Sequence, residues 1–117
     1  GFYEWDQSTK PKQPYYFYLK EEPFFAFAGL WDRWISREGE VIESCCLLTQ
    51  PANGPIKDIH DHMPVILRVE DYNSWLRCEV GDFVQRSISA LDFYPVSTSV
   101  NSGRIDEPSL ITPLTGH

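Results

Sequence analysis

Apolar side chains along this chain follow two spacings, set apart by Gly, Pro and charged breaks. Over roughly the first half they come in short aromatic and β-branched runs, which predict strands. GFYEW (1–5) is one such run, and TKPKQP (9–14), with two prolines, is a turn or loop. PYYFYLK (14–20), the charged KEEP (20–23) and FFAFAGLW (24–31) predict a hairpin of two aromatic strands. WISREGEVIESCCLLT (34–49) repeats that form, with REGE (37–40) as its turn. PANGPIKDIHDH (51–62) reads as a loop with one helical turn, and MPVILR (63–68) as a short apolar strand. Helical spacing then takes over. Tyr72, Trp75 and Leu76 fall at i, i+3, i+4 within VEDYNSWLRC (69–78), with acids in the first turn where they suit the helix dipole. Phe83, Val84, Ser87, Ile88 and Leu91 predict a second helix in GDFVQRSISAL (81–91), with Asp82 as N-cap and Gln85 completing a variant capping box. FYPVSTSV (93–100) is strand-like and residues 101–117 form a loop-rich tail. The pattern is that of an α+β protein dominated by antiparallel hairpins.

The 117 residues are enough for one small core or for part of a larger domain, and 42% hydrophobic with 15% aromatic content predicts a folded chain. No apolar run approaches the ~20 residues of a membrane span, so no membrane partner is expected. A formal charge of −7 predicts solubility and, taken alone, argues against nucleic acid, which normally meets a basic surface. Cys45 and Cys46 are adjacent and Cys78 is remote; the odd count of three fits a reducing, cytoplasmic setting. On a strand the first two point to opposite faces, so at least one is expected in the core. Aromatic residues on both faces of GFYEW are the pattern of an interior strand, and the chain is expected to be incomplete at its N-terminus.

Two groups of residues could carry chemistry. Asp58, His60 and His62 alternate, so an extended segment would place them on one face. Three roles are open to them: hydrogen bonds to loop carbonyls, acid–base work, or a metal half-site of the His-x-His kind. The metal role needs ligands from elsewhere, and His117 is an unpromising terminal one. Glu4 shares a face with Phe2, and an apolar wall raises a carboxyl pKa by disfavouring its charged form. Its competing role, as partner to a tyrosine hydroxyl or an arginine, is the one the residues alone favour. Tyr15, Tyr16, Trp31 and Trp34 could stack on sugars or bases, but alternating aromatics in hairpins more often form core.

These segments, in order, resemble the SRAP (SOS response-associated peptidase) family. GFYEW at 1–5 is similar to the family's glutamate-bearing strand. PYYFYL at 14–19 and FAFAGLWDRW at 25–34 match its central hairpin. Thr49 with Ala52-Asn53 matches its T-x-x-A-N element, IHDHMPVIL at 59–67 its I-H-x-R-M-P block, and VSTSVNS at 96–102 its closing V-N segment. The resemblance implies a fold of twisted, barrel-like, mostly antiparallel sheets with short peripheral helices, of which residues 1–117 are the C-terminal portion. It also implies most tryptophans buried. The activity implied is self-processing peptidase chemistry together with sensing of abasic sites in single-stranded DNA. There an N-terminal cysteine forms a Schiff base with the sugar aldehyde and closes a thiazolidine, a covalent DNA–protein crosslink. No metal or cofactor is implied, and the protein is expected to be a bacterial, cytoplasmic monomer.

Carried over residue by residue, Glu4 and His60 become the catalytic acid–base groups, and Thr49 and His62 the DNA contacts. Two departures stand out. None of Cys45, Cys46 or Cys78 matches the family's nucleophile, so this chain by itself is expected not to crosslink DNA. His62 stands where the family carries arginine, and an imidazole lacks the permanent charge and bidentate fork that hold a phosphate. The rival readings are a metal-dependent small β-barrel enzyme using His60 and His62, and an aromatic-rich binding module marked by a row of exposed tryptophans.

Overall fold

The computed structural model describes residues 1–114, so His117 lies outside the described residues. The strands are β1 (Phe2–Asp6), β2 (Gln13–Tyr18), β3 (Ala26–Phe27), β4 (Gly29–Ile35), β5 (Val41–Leu47), β6 (Thr49–Pro51), β7 (His62–Pro64), β8 (Ile66–Leu67) and β9 (Asp92–Pro95). Two short helices are α1 (Tyr72–Leu76) and α2 (Phe83–Arg86), and four single 3-10 turns complete the described elements. The chain divides into two compact units. The first gathers Gly1–Phe25, Pro51–Met63 and the segment from Ser89; the second gathers Ala26–Gln50 and Pro64–Ile88.

In the first unit β1, β2 and β9 form an antiparallel sheet in that order. Its register sets Phe2 opposite Phe17, Glu4 opposite Tyr15, and Phe17 opposite Phe93. The pleat therefore gives one face to Phe2, Glu4, Tyr15, Phe17 and Phe93, and the other to Tyr3, Trp5, Tyr16, Tyr18 and Tyr94. Phe17 is fully buried and stacks on Phe2 and Phe93 at centroid distances of 5.4 and 5.1 Å. Tyr16 is the hub of the second face, 5.7 Å from Tyr3, 5.8 Å from Tyr18 and 5.6 Å from Tyr94. Pro14, Ile56, Met63, Leu91 and Val96 are buried in the same unit. The strand pattern of GFYEW is as expected, although β1 pairs with β2 alone among the described residues and lies at the sheet's edge.

The hairpin expected over 14–31 does not form. β2 pairs with β1 and β9, while β3 pairs with β8. Alternation sets which side of a strand is apolar but not which strand lies beside it, and the charged KEEP segment serves as a connection.

In the second unit β4 and β5 make the expected hairpin, in register from Gly29 opposite Leu47 to Ile35 opposite Val41. Its turn is closed by Ser36 N–H to the Glu40 carbonyl at 2.8 Å, with Gly39 at φ 84° in the left-handed region. Ala28, Val65 and Leu67 form a buried cluster covered by Leu48, Tyr72, Trp75 and Phe83. The Trp75 indole donates to the Gly29 carbonyl at 3.0 Å and meets Phe83 edge-on at 5.1 Å. α1 is where its spacing predicts. α2 is one turn only, and Asp82 makes no side-chain cap bond. The reason is competition for backbone: Ile66 N–H donates to Ser87 Oγ at 2.8 Å and Ile88 N–H to the Ile66 carbonyl at 3.0 Å. Those bonds hold residues 87 and 88 to Ile66 in non-helical backbone, with Ser87 at ψ 140°, and end the helix.

Two burial expectations fail on the β4–β5 hairpin. Cys45, Cys46 and Cys78 are all exposed, none of them in the core. Trp31 and Trp34 are 72% and 59% exposed, while Trp5 and Trp75 are half-buried. Every residue of β5 is exposed, so no layer covers either face of the hairpin among the described residues. Trp31 and Trp34, three positions apart on one strand, point to opposite faces and make no row. The class is thus the expected one, mostly antiparallel strands with short helices, built among the described residues as one three-stranded and three two-stranded sheets, none closed into a barrel. No helix among the described residues is long and apolar enough to cross a membrane.

Candidate active site

Glu4 sits mid-strand on β1, on the sheet face that carries Phe2, Tyr15 and Phe17. His60 comes to it from the loop that follows β6, and the sequence shows how that loop is fixed. Ala52 N–H donates to the Asp61 carbonyl at 2.8 Å and closes the loop's ends. Gly54 has φ 68°, and a Cβ there would lie 2.7 Å from the Ser89 carbonyl oxygen, so only glycine fits. Pro55 then starts a 3-10 turn over Gly54–Asp58 whose Ile56 is fully buried. The Ile56 carbonyl accepts both the Ile59 and the His60 N–H at 2.9 Å and ends the turn at the histidine.

The imidazole Nδ1 of His60 lies 3.8 Å from Glu4 Oε2, with side-chain exposures of 33% for His60 and 23% for Glu4. At that distance charge attraction acts but no direct hydrogen bond forms. The same nitrogen lies 3.1 Å from both the carbonyl oxygen and the amide nitrogen of His62. Burial pushes the Glu4 carboxyl above its ordinary value, and the facing imidazole draws it part of the way back. Glu4 is thus a carboxyl that keeps its proton to higher pH than usual, with an imidazole beside it. That is the combination acid–base chemistry uses.

An open cleft of about 280 Å³ is lined by His60 with Asp6, Gln7, Ser8, Lys57, Asp58, Ile59 and Asp61. Ser8 gives Asp6 Oδ1 two hydrogen bonds, from Oγ at 2.6 Å and from N at 2.9 Å, and these hold the Asp6 carboxyl below its usual range. Three aspartates against one lysine make a field that repels phosphate. On the opposite face of β1 the Trp5 indole donates to Asn101 Oδ1 at 2.6 Å. The sequence reading missed this pair, since residues so far apart leave no local signal; only the V-N segment pointed to Asn101's neighbourhood.

The other expected site residues are placed as follows. Asp58, His60 and His62 do not share an extended face, because Asp58 ends a 3-10 turn, Ile59 continues it as a turn, and the chain bends at Asp61 before His62 enters β7. His62 is exposed at the start of β7 and reaches the site through its peptide group. Thr49 is exposed at the start of β6, in the second unit. No group of three His, Cys, Asp or Glu residues is gathered as metal ligands among the described residues, so the rival reading of His60 and His62 as a metal half-site finds no third member there.

Comparison with known proteins adds to this geometry. The chain is 38% identical over 119 residues to the abasic site processing protein YoqW of Bacillus subtilis, covering 95% of this chain and 53% of that protein. It is 31% identical over 144 residues to the abasic site processing protein HMCES of Gallus gallus, covering 97% of this chain and 41% of that protein. A crystal structure of a protein from Bacteroides thetaiotaomicron superposes with a TM-score of 0.80 at 26% identity, over 97% of this chain and 53% of that one. The chain thus spans about half the length of the curated relatives it matches. The family model for SOS response associated peptidase (SRAP) matches residues 1–103, and this chain belongs to that family.

Proposed function

We propose that the protein of which this chain is the C-terminal portion processes abasic sites in single-stranded DNA, with Glu4 and His60 moving the protons. The observation that carries this is the 3.8 Å approach of a half-buried, high-pKa carboxyl to an imidazole on one sheet face. Two relatives whose names describe abasic-site processing support the substrate class.

An abasic sugar in its open form presents an aldehyde. An amine adds to that carbon to give a carbinolamine, and loss of water from it forms a C=N bond. The departing oxygen needs a proton and the nitrogen must give one up, so a donor and an acceptor near neutrality speed the step. Glu4 and His60 supply them as one pair: beside an ionised Glu4 the imidazole is the acceptor, and when Glu4 holds its proton the imidazole is the donor. A thiol on the same residue as the amine then adds across the C=N bond and closes a thiazolidine. Only a cysteine with a free α-amine offers both groups, and Cys45, Cys46 and Cys78 are internal to the chain. The nucleophile therefore belongs to the rest of the protein. Proton transfer by the same pair would also serve amide cleavage in self-processing.

The exposed β4–β5 hairpin and the greater length of the relatives support a further part of the domain that covers this surface. Thr49 and His62 are assigned to the DNA backbone. With an acidic cleft and a charge of −7, most phosphate contacts fall to the remainder of the protein.

The test uses the intact protein and single-stranded DNA with one abasic site. A denaturation-resistant, slower-migrating band is expected. Glu4→Ala and His60→Ala should each slow its formation or reversal by about 10²–10⁴-fold, the usual contribution of a positioned acid or base. Parental rates in both variants would remove the two assignments.

A further inference from the structure

Which nitrogen of His60 meets the substrate can be read from its surroundings. Nδ1 faces two acceptors and one donor. The acceptors are the His62 carbonyl oxygen at 3.1 Å and Glu4 Oε2 at 3.8 Å; the donor is the His62 amide N–H at 3.1 Å. Asp6, Asp58, Asp61 and Lys57 line the same cleft, yet Glu4 is the charged group within ion-pair distance of the ring among the described residues. A neutral imidazole carries one proton. Placed on Nδ1, it is donated to the His62 carbonyl and lies favourably against the carboxylate charge. Placed on Nε2, it leaves the Nδ1 lone pair facing two oxygens, one of them ionic, with one amide hydrogen in compensation. The neutral carbonyl and amide of His62, both at 3.1 Å, offset one another, so the carboxylate charge at 3.8 Å decides, acting through its field rather than a hydrogen bond.

We propose that ionised Glu4 and the peptide group of His62 hold neutral His60 in its Nδ1–H form, so that Nε2 presents a lone pair to the substrate. The ring takes up a proton at Nε2 and returns it there, with Glu4 offsetting the imidazolium charge in between. Residue 62 is a positioning residue through its main chain, whatever its side chain. The balance also responds to Glu4. Once protonated, that carboxyl becomes a second donor toward Nδ1, the imidazole proton moves to Nε2, and the outward nitrogen changes from base to acid. One proton on Glu4 thereby sets the sense in which His60 works.

This inference rests on the function proposed above only for the substrate; the tautomer belongs to the unliganded protein and is read without DNA. The experiment is long-range ¹H–¹⁵N correlation on intact protein labelled at histidine, at a pH where Glu4 is ionised. His60 is expected to show a protonated, pyrrole-type Nδ1 and a pyridine-type Nε2. Glu4→Gln, whose amide can donate, should exchange the two signals while the backbone amide spectrum confirms the fold. His62→Ala keeps the peptide group and should leave the parental pattern. An Nε2–H form in the parent, an unchanged pattern in Glu4→Gln, or an exchanged one in His62→Ala overturns the proposal. The two ideas fail separately. A Nδ1–H ring in a protein that ignores abasic DNA sinks the function alone. Abasic-site processing lost in His60→Ala, with an Nε2–H ring in the parent, sinks the tautomer alone.

Discussion

At the scale of single residues the pH behaviour turns on Glu4. Its folded-state carboxyl lies above the ordinary value of 4.5 because burial disfavours the charge. A raised carboxyl favours the folded state while protonated, so its contribution is fully present below 4.5 and is lost as pH rises through the raised value. Compared with Glu4→Gln, the parent should therefore lose stability over that interval. Denaturant unfolding of both proteins across the acid range checks this, and parallel curves would count against a buried, proton-holding Glu4. The face that Glu4 occupies was legible in the sequence, because strand alternation places it with Phe2. Its partner was not. The approach of His60 depends on Gly54 and Ile56 folding a distant loop onto β1, and no spacing rule predicts that; only the ordered resemblance singled out the pair.

At the scale of elements two glycines in the left-handed region separate conformational cost from steric cost. Gly39 has open space around it, so Gly39→Ala should cost about 1–2 kcal/mol, the usual left-handed penalty. Gly54→Ala adds a collision with the Ser89 carbonyl at 2.7 Å and should cost more, with a loss of His60 function that Gly39→Ala does not share. Thermal unfolding beside abasic-site processing measures both, and equal costs would refute the crowding at Gly54. Ile56→Ala, in the turn that carries His60, should cost about 2–5 kcal/mol through the cavity it leaves. The REGE turn and the strands it joins were legible because the turn residues and flanking alternation agree locally. The pairing of β2 and the length of α2 were not. Both were decided by backbone groups from distant segments, β9 in one case and Ile66 in the other.

At the scale of the whole molecule the uncovered β4–β5 hairpin belongs with relatives about twice as long. In this chain alone Trp31→Ala should change stability by no more than about 0.5 kcal/mol, as exposed sites do. In an intact protein whose further part covers the hairpin, as proposed, the same change should cost about 3–5 kcal/mol, and acrylamide should quench its tryptophans less. Equal costs in both would mean that nothing covers the hairpin. That Trp31 and the adjacent cysteines lie outside the core could not be read from alternation, which marks apolar positions without saying what part of the protein covers them. The central claim, that Glu4 and His60 act as one proton-transfer unit on an abasic site, is tested most directly by a double-mutant cycle. Rates of covalent product formation on abasic single-stranded DNA are compared for the parent, Glu4→Gln, His60→Gln and the double variant. Groups that work together lose their shared contribution once, so the double variant should be no more than a few-fold slower than the worse single one. Losses that multiply in full, or a single variant that keeps the parental rate, would contradict it.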